Sequence, residues 1–343
     1  MEKIRLGKTN LMVSRTSFGA IPIQRVSTEE STDILRKAYA NGVNFYDTAR
    51  VYGTSEGRIG NALGDVRDNI IIASKTLAKN GKDLRKDLED SLAELKTDYI
   101  DIYQFHNPPF VPRPGAWEGL YDEAITAKQE GKIRHIGASS HLLDVAREMV
   151  MSGFIDTMQY PMSSIASEDE IKLIELCKDY DVGFIAMKAM AGGLISNAKS
   201  AFVFLRQFDN VVPIWGIQFL WELDEFLKYE SDPPKLDNEL WDIIYKDRET
   251  LSGDFCRACG YCLPCPAEIN IPMAARIEFL LGRMNLPGLV NDEFKEMMQN
   301  IKKCTGCHHC INNCPYKLDI PELLNRHLNV YEEFIVEYES ENK

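Results

Sequence analysis

Eight of the nine cysteines fall in two runs near the C-terminus, and the second run repeats the first. One reads Cys256-x2-Cys259-x2-Cys262-x2-Cys265-Pro266, the other Cys304-x2-Cys307-x2-Cys310-x3-Cys314-Pro315. The likeness continues past the cysteines: Cys265-Pro-Ala-Glu-Ile-Asn-Ile-Pro272 aligns with Cys314-Pro-Tyr-Lys-Leu-Asp-Ile-Pro321. Three thiolates at this spacing can turn round one soft metal centre while a fourth arrives from elsewhere. A repeated triple followed by Cys-Pro is the pattern that wraps a cubane iron–sulfur cluster. Zinc is the competing reading, but a four-cysteine zinc site needs only two Cys-x2-Cys pairs per ion. Disulfides fit less well, because no secretory leader is legible and a reducing, cytoplasmic compartment is expected. Cys177 stands apart in the apolar stretch 171–177 and reads as a buried, inert thiol.

Over roughly residues 250–325 the two runs resemble the helical two-cluster ferredoxin module. The resemblance implies two 4Fe-4S clusters with exchanged ligands. Cys256, Cys259, Cys262 and Cys314 would hold one; Cys304, Cys307, Cys310 and Cys265 would hold the other. The connection between Cys265 and Cys304 is too long for a compact hairpin, and residues 273–284 are expected to form a helix within it.

Composition bounds the rest. A chain of 343 residues with 45% hydrophobic content suggests one large domain and one small one. The formal charge, 39 − 52 = −13, argues against a nucleic-acid partner, and no basic run argues otherwise. No stretch reaches the ~18 uninterrupted apolar residues of a membrane helix, so no membrane partner is expected.

The first two-thirds alternate short β-branched runs with amphipathic stretches. Strands are expected at 16–20, 43–48, 70–75, 99–106, 133–139, 157–161, 182–190 and 211–217. Helix-like segments at 28–41, 83–95, 117–131, 143–152 and 167–180 lie between them. Ser27-Thr28-Glu29-Glu30 supplies a helix start and Asn41-Gly42 a stop. Such alternation implies parallel strands with right-handed crossovers, and eight units fit a (β/α)8 TIM barrel. The alternative is a doubly wound open sheet, which the absence of Gly-x-Gly-x-x-Gly after the first strand disfavours. Residues 4–13 read as a hairpin that could plug the barrel bottom, with its turn at 7–10.

Barrel chemistry sits at the C-terminal ends of the strands. The second strand ends in Asp47, with Tyr52 just beyond; the third ends in Lys75 and the fourth in His106. A phenol of reference pKa ~10 is a poor acid at neutral pH, but a neighbouring ammonium favours its phenolate. Asp47 can pair with Lys75, and His106 can hydrogen-bond a carbonyl or relay a proton. The set suits protonation of a carbonyl oxygen as hydride reaches its carbon. Singly, each residue has a plainer reading as a rim ion pair, a packing ring or a capped loop residue.

These segments resemble the aldo-keto reductases over about residues 3–230. Leu6-Gly-Lys-Thr-Asn-Leu-Met-Val-Ser14 is similar to the family's N-terminal hairpin, and Asp47-Thr-Ala-Arg-Val-Tyr-Gly-Thr-Ser-Glu56 to its signature around the catalytic Asp and Tyr. Ala73-Ser-Lys75 and Gln104-Phe-His106 match the segments bearing its Lys and His. The resemblance implies catalytic roles for Asp47, Tyr52, Lys75 and His106, and nicotinamide contacts at Ser139, Ser140 and Gln159; Lys188 could serve a cofactor phosphate or be a plain rim lysine. With the cysteine tail, the chain resembles the subgroup carrying a C-terminal iron–sulfur domain.

Three features depart from the family pattern. Ser140 stands where Asn is common, and Met187 where an aromatic stacks on nicotinamide. After the eighth strand, Glu222, Asp224 and Glu225 replace the basic residues that hold a 2′-phosphate. NAD(H) is therefore favoured over NADP(H). Nicotinamide moves electrons in pairs and clusters move them singly, so a barrel-bound flavin is an alternative cofactor able to do both.

Pro233-Pro234 breaks the alternation, placing the barrel at 1–235 and a mainly helical ferredoxin-like 4Fe-4S domain at 236–343. Helix is expected at 236–250, and the tail 322–343 to start helical and then fray. Three functions fit. The first is a carbonyl/alcohol oxidoreductase wired through its clusters to a ferredoxin-like partner. The second is a nicotinamide-dependent reductase with purely structural clusters. The third is an electron-transfer or redox-sensing protein, flavin-containing in one version, on a vestigial barrel.

Overall fold

The computed structural model describes residues 1–251, 255–281 and 286–341. The chain divides into two compact units, Met1–Met190 with Asn197–Tyr245, and Ala191–Ser196 with Lys246–Lys343.

In the first unit β1 (Lys3–Arg5) and β2 (Met12–Ser14) form an antiparallel hairpin. Eight parallel strands follow: β3 (Ser17–Gly19), β4 (Phe45–Asp47), β5 (Ile71–Thr76), β6 (Ile100–His106), β7 (Ile133–Ser139), β8 (Thr157–Pro161), β9 (Gly183–Met187) and β10 (Val211–Gly216). They pair in sequence order, and β10 returns to pair with β3. That closure makes the sheet a (β/α)8 barrel rather than an open doubly wound sheet. All eight expected strands are present, the seventh ending three residues earlier than the sequence suggested.

One helix follows each strand. Thr28–Ala40 and Glu168–Asp179 open with reciprocal caps, in which Ser27 and Ser167 accept from the third helical N–H while Glu30 and Glu170 reach back. Helices Ser55–Leu63, Gly81–Leu95, Leu120–Gln129, Leu143–Ser152, Ala198–Arg206 and Leu220–Ser231 complete the ring. The last stops two residues short of Pro233.

Alternate strand residues point inward. Phe45, Ala73, Ile102, Ile185, Val212 and Ile214 therefore form one buried cluster inside the barrel, and Leu6 and Val13 of the hairpin join it. The plug sits at the N-terminal end of the strands: Lys8 N–H donates to Asp181 O at 2.6 Å, just before β9. Gly7 adopts φ +50°, and a Cβ there would lie 2.3 Å from Gly183 N, so only glycine fits the approach. With the bottom filled, the open end is the C-terminal mouth.

The second unit is helical among its described residues, with Ile271–Ala274, Ile277–Leu280, Leu286–Val290, Asp292–Gln299, His309–Asn312 and Ile320–Glu341. Helix Asn238–Thr250 begins in the first unit and ends in the second. Two expectations need correction. The helix expected at 273–284 is broken at Ala275-Arg276 into two short pieces. Arg276 leaves helical geometry with φ −132°, and its guanidinium donates to Pro272 O at 2.7 Å and to Gly192 O at 2.6 Å. Residues 282–284 of that expected helix lie outside the described residues. The tail, expected to fray, is one helix to Glu341. Its inner face buries Leu323, Leu324, His327, Leu328 and Tyr331 at helical spacing, each apolar side chain worth about 1.5–3 kcal/mol. Its acidic end is tied down by Lys302–Glu332 and Lys295–Glu339 ion pairs. No helix among the described residues is long and apolar enough to cross a membrane.

Candidate active site and metal centre

The inward alternation that packs the barrel also stacks its polar groups at the mouth. Phe45 and Asp47, Ala73 and Lys75, Ile102, Gln104 and His106 lie two apart on their strands, apolar below and polar above. Lys75 is fully buried, and its Nζ donates to Asp47 Oδ1 at 2.7 Å and to Thr48 O at 2.6 Å. Burial draws the Lys75 ammonium down and the Asp47 carboxyl up from their ordinary values, and each charge partly holds the other back. Breaking such a buried pair from one side costs about 3–5 kcal/mol.

Tyr52 sits on the turn after β4, its N–H bonded to Ala49 O at 2.9 Å. Lys75 Nζ lies 5.1 Å from its ring centroid, and the His106 ring meets it edge-on at 5.9 Å. The four catalytic candidates thus converge. His106 is 8% exposed. Burial first, then the charges of Lys75 and Lys188, lower its pKa from 6.5 to about 3. It is a neutral imidazole at physiological pH, able to donate one hydrogen bond without carrying charge.

This shift has a sign that can be measured. Between about pH 6.5 and 3 the unfolded chain binds a proton that buried His106 refuses, so stability falls as pH drops. About 2 kcal/mol should be lost between pH 7 and pH 5. We expect His106→Gln to flatten that part of the denaturation-midpoint profile; an unchanged slope would mean His106 is protonated in the fold.

The cofactor candidates separate. Ser139 Oγ, opposite His106 in the β6–β7 register, accepts from Asn107 N at 3.1 Å and keeps its own proton to donate. The Ser140 hydroxyl is committed to a turn, bonded to Leu142 O and N at 3.1 Å each. Gln159 lies under Asp47, its Nε2 3.4 Å from Asp47 Oδ1 and 3.7 Å from Met187 Sδ. Lys188 is half-buried just past β9 with φ +57°, a conformation that favours glycine.

Two residues with no role in the sequence reading belong to this network. Gln104 Nε2 donates to Gln159 Oε1 at 2.9 Å and approaches Asp47 Oδ2 at 3.4 Å. Glu56, 2% exposed, accepts from Ser74 Oγ at 2.5 Å and pairs with Arg50. Gln104 was findable, because it precedes His106 by two and so shares its inward face. Glu56 gave no comparable signal.

After β10 the three carboxylates are all engaged. Glu222 Oε2 accepts from Gln218 N at 2.6 Å and Phe219 N at 3.0 Å, closing the start of helix Leu220–Ser231. Asp224 pairs with Lys37 at 2.6 Å, and Glu225 accepts from Tyr229 OH at 2.6 Å.

None of the nine cysteines forms a disulfide, and Cys177 is buried on helix Glu168–Asp179. Cys265, distant in sequence, lines the same partly open pocket as Cys304, Cys307 and Cys310. Cys262 reaches its wall as well, and Pro266, Ile269, Pro321 and Leu324 supply an apolar rim. Cys310 is pushed up by burial and by Cys304 and Cys265, and Cys262 is pushed up to about 12 by burial, Cys256 and Cys259. A set of soft thiol donors is what a cationic metal core accommodates, since coordination deprotonates a thiol outright. The donor set therefore fits an iron–sulfur group.

Comparison with known proteins places both units. Residues 15–202 match the aldo/keto reductase family, and residues 255–319 match a 4Fe-4S dicluster domain. An uncharacterized oxidoreductase of Bacillus subtilis (strain 168) is 30% identical over 226 residues, covering 57% of this chain and 68% of that protein. The NADH-specific methylglyoxal reductase of Escherichia coli (strain K12) is 29% identical over 229 residues, covering 57% of this chain and 69% of that protein. Among solved structures, an aldo-keto reductase from Klebsiella pneumoniae in complex with NADPH shares the fold at TM-score 0.62 and 19% identity, covering 72% of this chain and 95% of that one.

Proposed function

The chain belongs to the aldo/keto reductase family, and from that membership we propose a carbonyl/alcohol oxidoreductase whose cysteine unit exchanges single electrons with a ferredoxin-like partner. The observation that carries the chemistry is the convergence of Asp47, Tyr52, Lys75 and His106 at the barrel mouth.

A bound reduced nicotinamide would supply the hydride, and iron–sulfur groups would supply one-electron transfer. The protein's own part is positional and protic. Neutral His106 donates a hydrogen bond to the substrate carbonyl oxygen and fixes its direction. Tyr52 gives that oxygen its proton as negative charge develops there. The Lys75 ammonium favours the phenolate left behind, and Asp47 with Gln104 and Gln159 holds Lys75 in place. Ser139 has a hydroxyl proton to orient a carboxamide. In the oxidative direction the same phenolate takes the alcohol proton. Cys256, Cys259, Cys262 and Cys314 would hold one 4Fe-4S cluster and Cys265, Cys304, Cys307 and Cys310 the other; the shared cavity supports the second set.

One relative is named NADH-specific; the choice for this chain rests on its own residues. Barrels commonly hold a ligand phosphate between the loops after strands seven and eight and a helix N-terminus. Here Glu222 already accepts the Gln218 and Phe219 amides just ahead of that helix, placing a carboxylate at its start. A 2′-phosphate brings nearly two negative charges toward it. NADPH is therefore expected to bind no better than NADH in a fluorescence titration; a tenfold preference for NADPH would reverse this assignment. The activity itself is tested by following reduced nicotinamide with a panel of aldehydes and ketones. Oxidation only when a carbonyl is present supports the proposal, and none with any carbonyl rejects it.

A further inference from the structure

The two cysteine segments differ in how far they reach the surface. Cys256 and Cys262 are buried, whereas Cys304 and Cys307 are exposed. Every residue from 302 to 309 is exposed. The charge differs as well. The chain carries −13, yet residues 297–318 contain no Asp or Glu and three lysines, Lys302, Lys303 and Lys317. Arg257 adds a cation beside them, its guanidinium 4.4 Å from the Tyr316 ring centroid and 4.4 Å from that of Phe255.

Two flanking carboxylates have work of their own. Glu332 accepts from Lys302 at 2.8 Å and from Gln299 at 2.9 Å. Asp319 accepts from Glu322 N at 3.2 Å and caps the terminal helix. The positive charge of the exposed segment is carried by Lys303 and Lys317, next to the most exposed thiols of the chain, with Asp319 at its edge.

We propose that residues 297–318 form the docking face for a small acidic one-electron carrier, which exchanges electrons with the group held by Cys265, Cys304, Cys307 and Cys310. This rests on the reading of those cysteines as ligands of a redox-active cluster. In the reducing direction one electron leaves the carrier and one enters that group; no bond forms or breaks, and no proton moves. Distance selects this face and local charge selects an acidic partner. Electron transfer weakens steeply with distance, so exchange runs through the exposed sulfurs rather than the buried ones. Salt screens charges beyond about 8 Å at physiological ionic strength, so a carrier at this face responds to the local lysines before the acidic remainder of the chain.

The test uses the full chain with clusters loaded anaerobically, and a reduced acidic ferredoxin as the probe. Stopped-flow absorbance should show cluster reduction that slows as salt rises. Lys303→Glu with Lys317→Glu should slow it about tenfold or more at low salt, the size typical of lost steering. Lys303→Arg should leave the rate unchanged, and all three proteins should bleach to the same extent with dithionite. Carbodiimide should cross-link the carrier's carboxylates to Lys303 or Lys317. A rate indifferent to both salt and charge reversal, or cross-links mapping wholly elsewhere, would overturn the docking face. If dithionite fails to bleach the wild-type protein, the underlying redox reading falls, and the docking face with it.

Discussion

Tyr52→Phe is expected to cut turnover by about 10²–10⁴ while leaving KM within a few-fold, the usual share of general acid catalysis. The substitution keeps the ring that meets His106 edge-on and removes only the hydroxyl. It is a cleaner probe than Lys75→Met, which would strand Asp47 as an unpaired buried carboxylate and confound rate with stability. Lys75→Met should still add one distinctive signature, a displaced pH–rate profile. Because His106 stays neutral from about pH 3 upward, that profile should show no imidazole step between pH 5 and 8. Turnover of Tyr52→Phe within a few-fold of wild type would remove Tyr52 from the proton transfer.

The other large effect concerns iron. Anaerobically prepared protein should carry about eight iron per chain, as two 4Fe-4S clusters require. Cys265→Ser should lose the cluster of Cys304, Cys307 and Cys310 and keep about four iron, because Cys265 lines their cavity. Cys314→Ser should spare that cluster and damage the one held by Cys256, Cys259 and Cys262. Iron analysis with electron paramagnetic resonance of the reduced variants separates the two losses. The opposite pattern, in which Cys265→Ser spares the cluster of Cys304, would mean each run ligates its own cluster without exchange. Stoichiometric zinc with negligible iron would remove the clusters altogether.

Sequence gave away most of the barrel because each strand must bury an inward face and cannot hide it. All eight β-branched runs become strands, and the Ser27–Glu30 pattern becomes a capping box with both bonds made. The polar network at the mouth was half legible. Asp47, Tyr52, Lys75 and His106 stand at strand ends where chemistry is sought. Gln104 reads only as part of a motif until the two-residue period sets it beside Asp47. Glu222 read as an acidic replacement for a phosphate clamp. Its part in closing a helix depends on two backbone N–H groups whose direction no sequence pattern states. In the cysteine unit the helix expected at 273–284 broke because Arg276 turns to two carbonyls, one of them at Gly192, far away in sequence. The terminal helix outlasted its expected fraying because lysines outside it pair with its glutamates. In both cases a long-range partner decided a local question.

We propose that barrel chemistry and the cysteine unit exchange electrons. The most direct measurement is the visible cluster absorbance of anaerobic protein during turnover with reduced nicotinamide and a carbonyl substrate, with and without added flavin. The wired account predicts that the absorbance bleaches, and that flavin is needed if it is the converter between paired and single electrons. Rapid nicotinamide oxidation with cluster absorbance unchanged under both conditions would contradict it and leave the clusters a structural role.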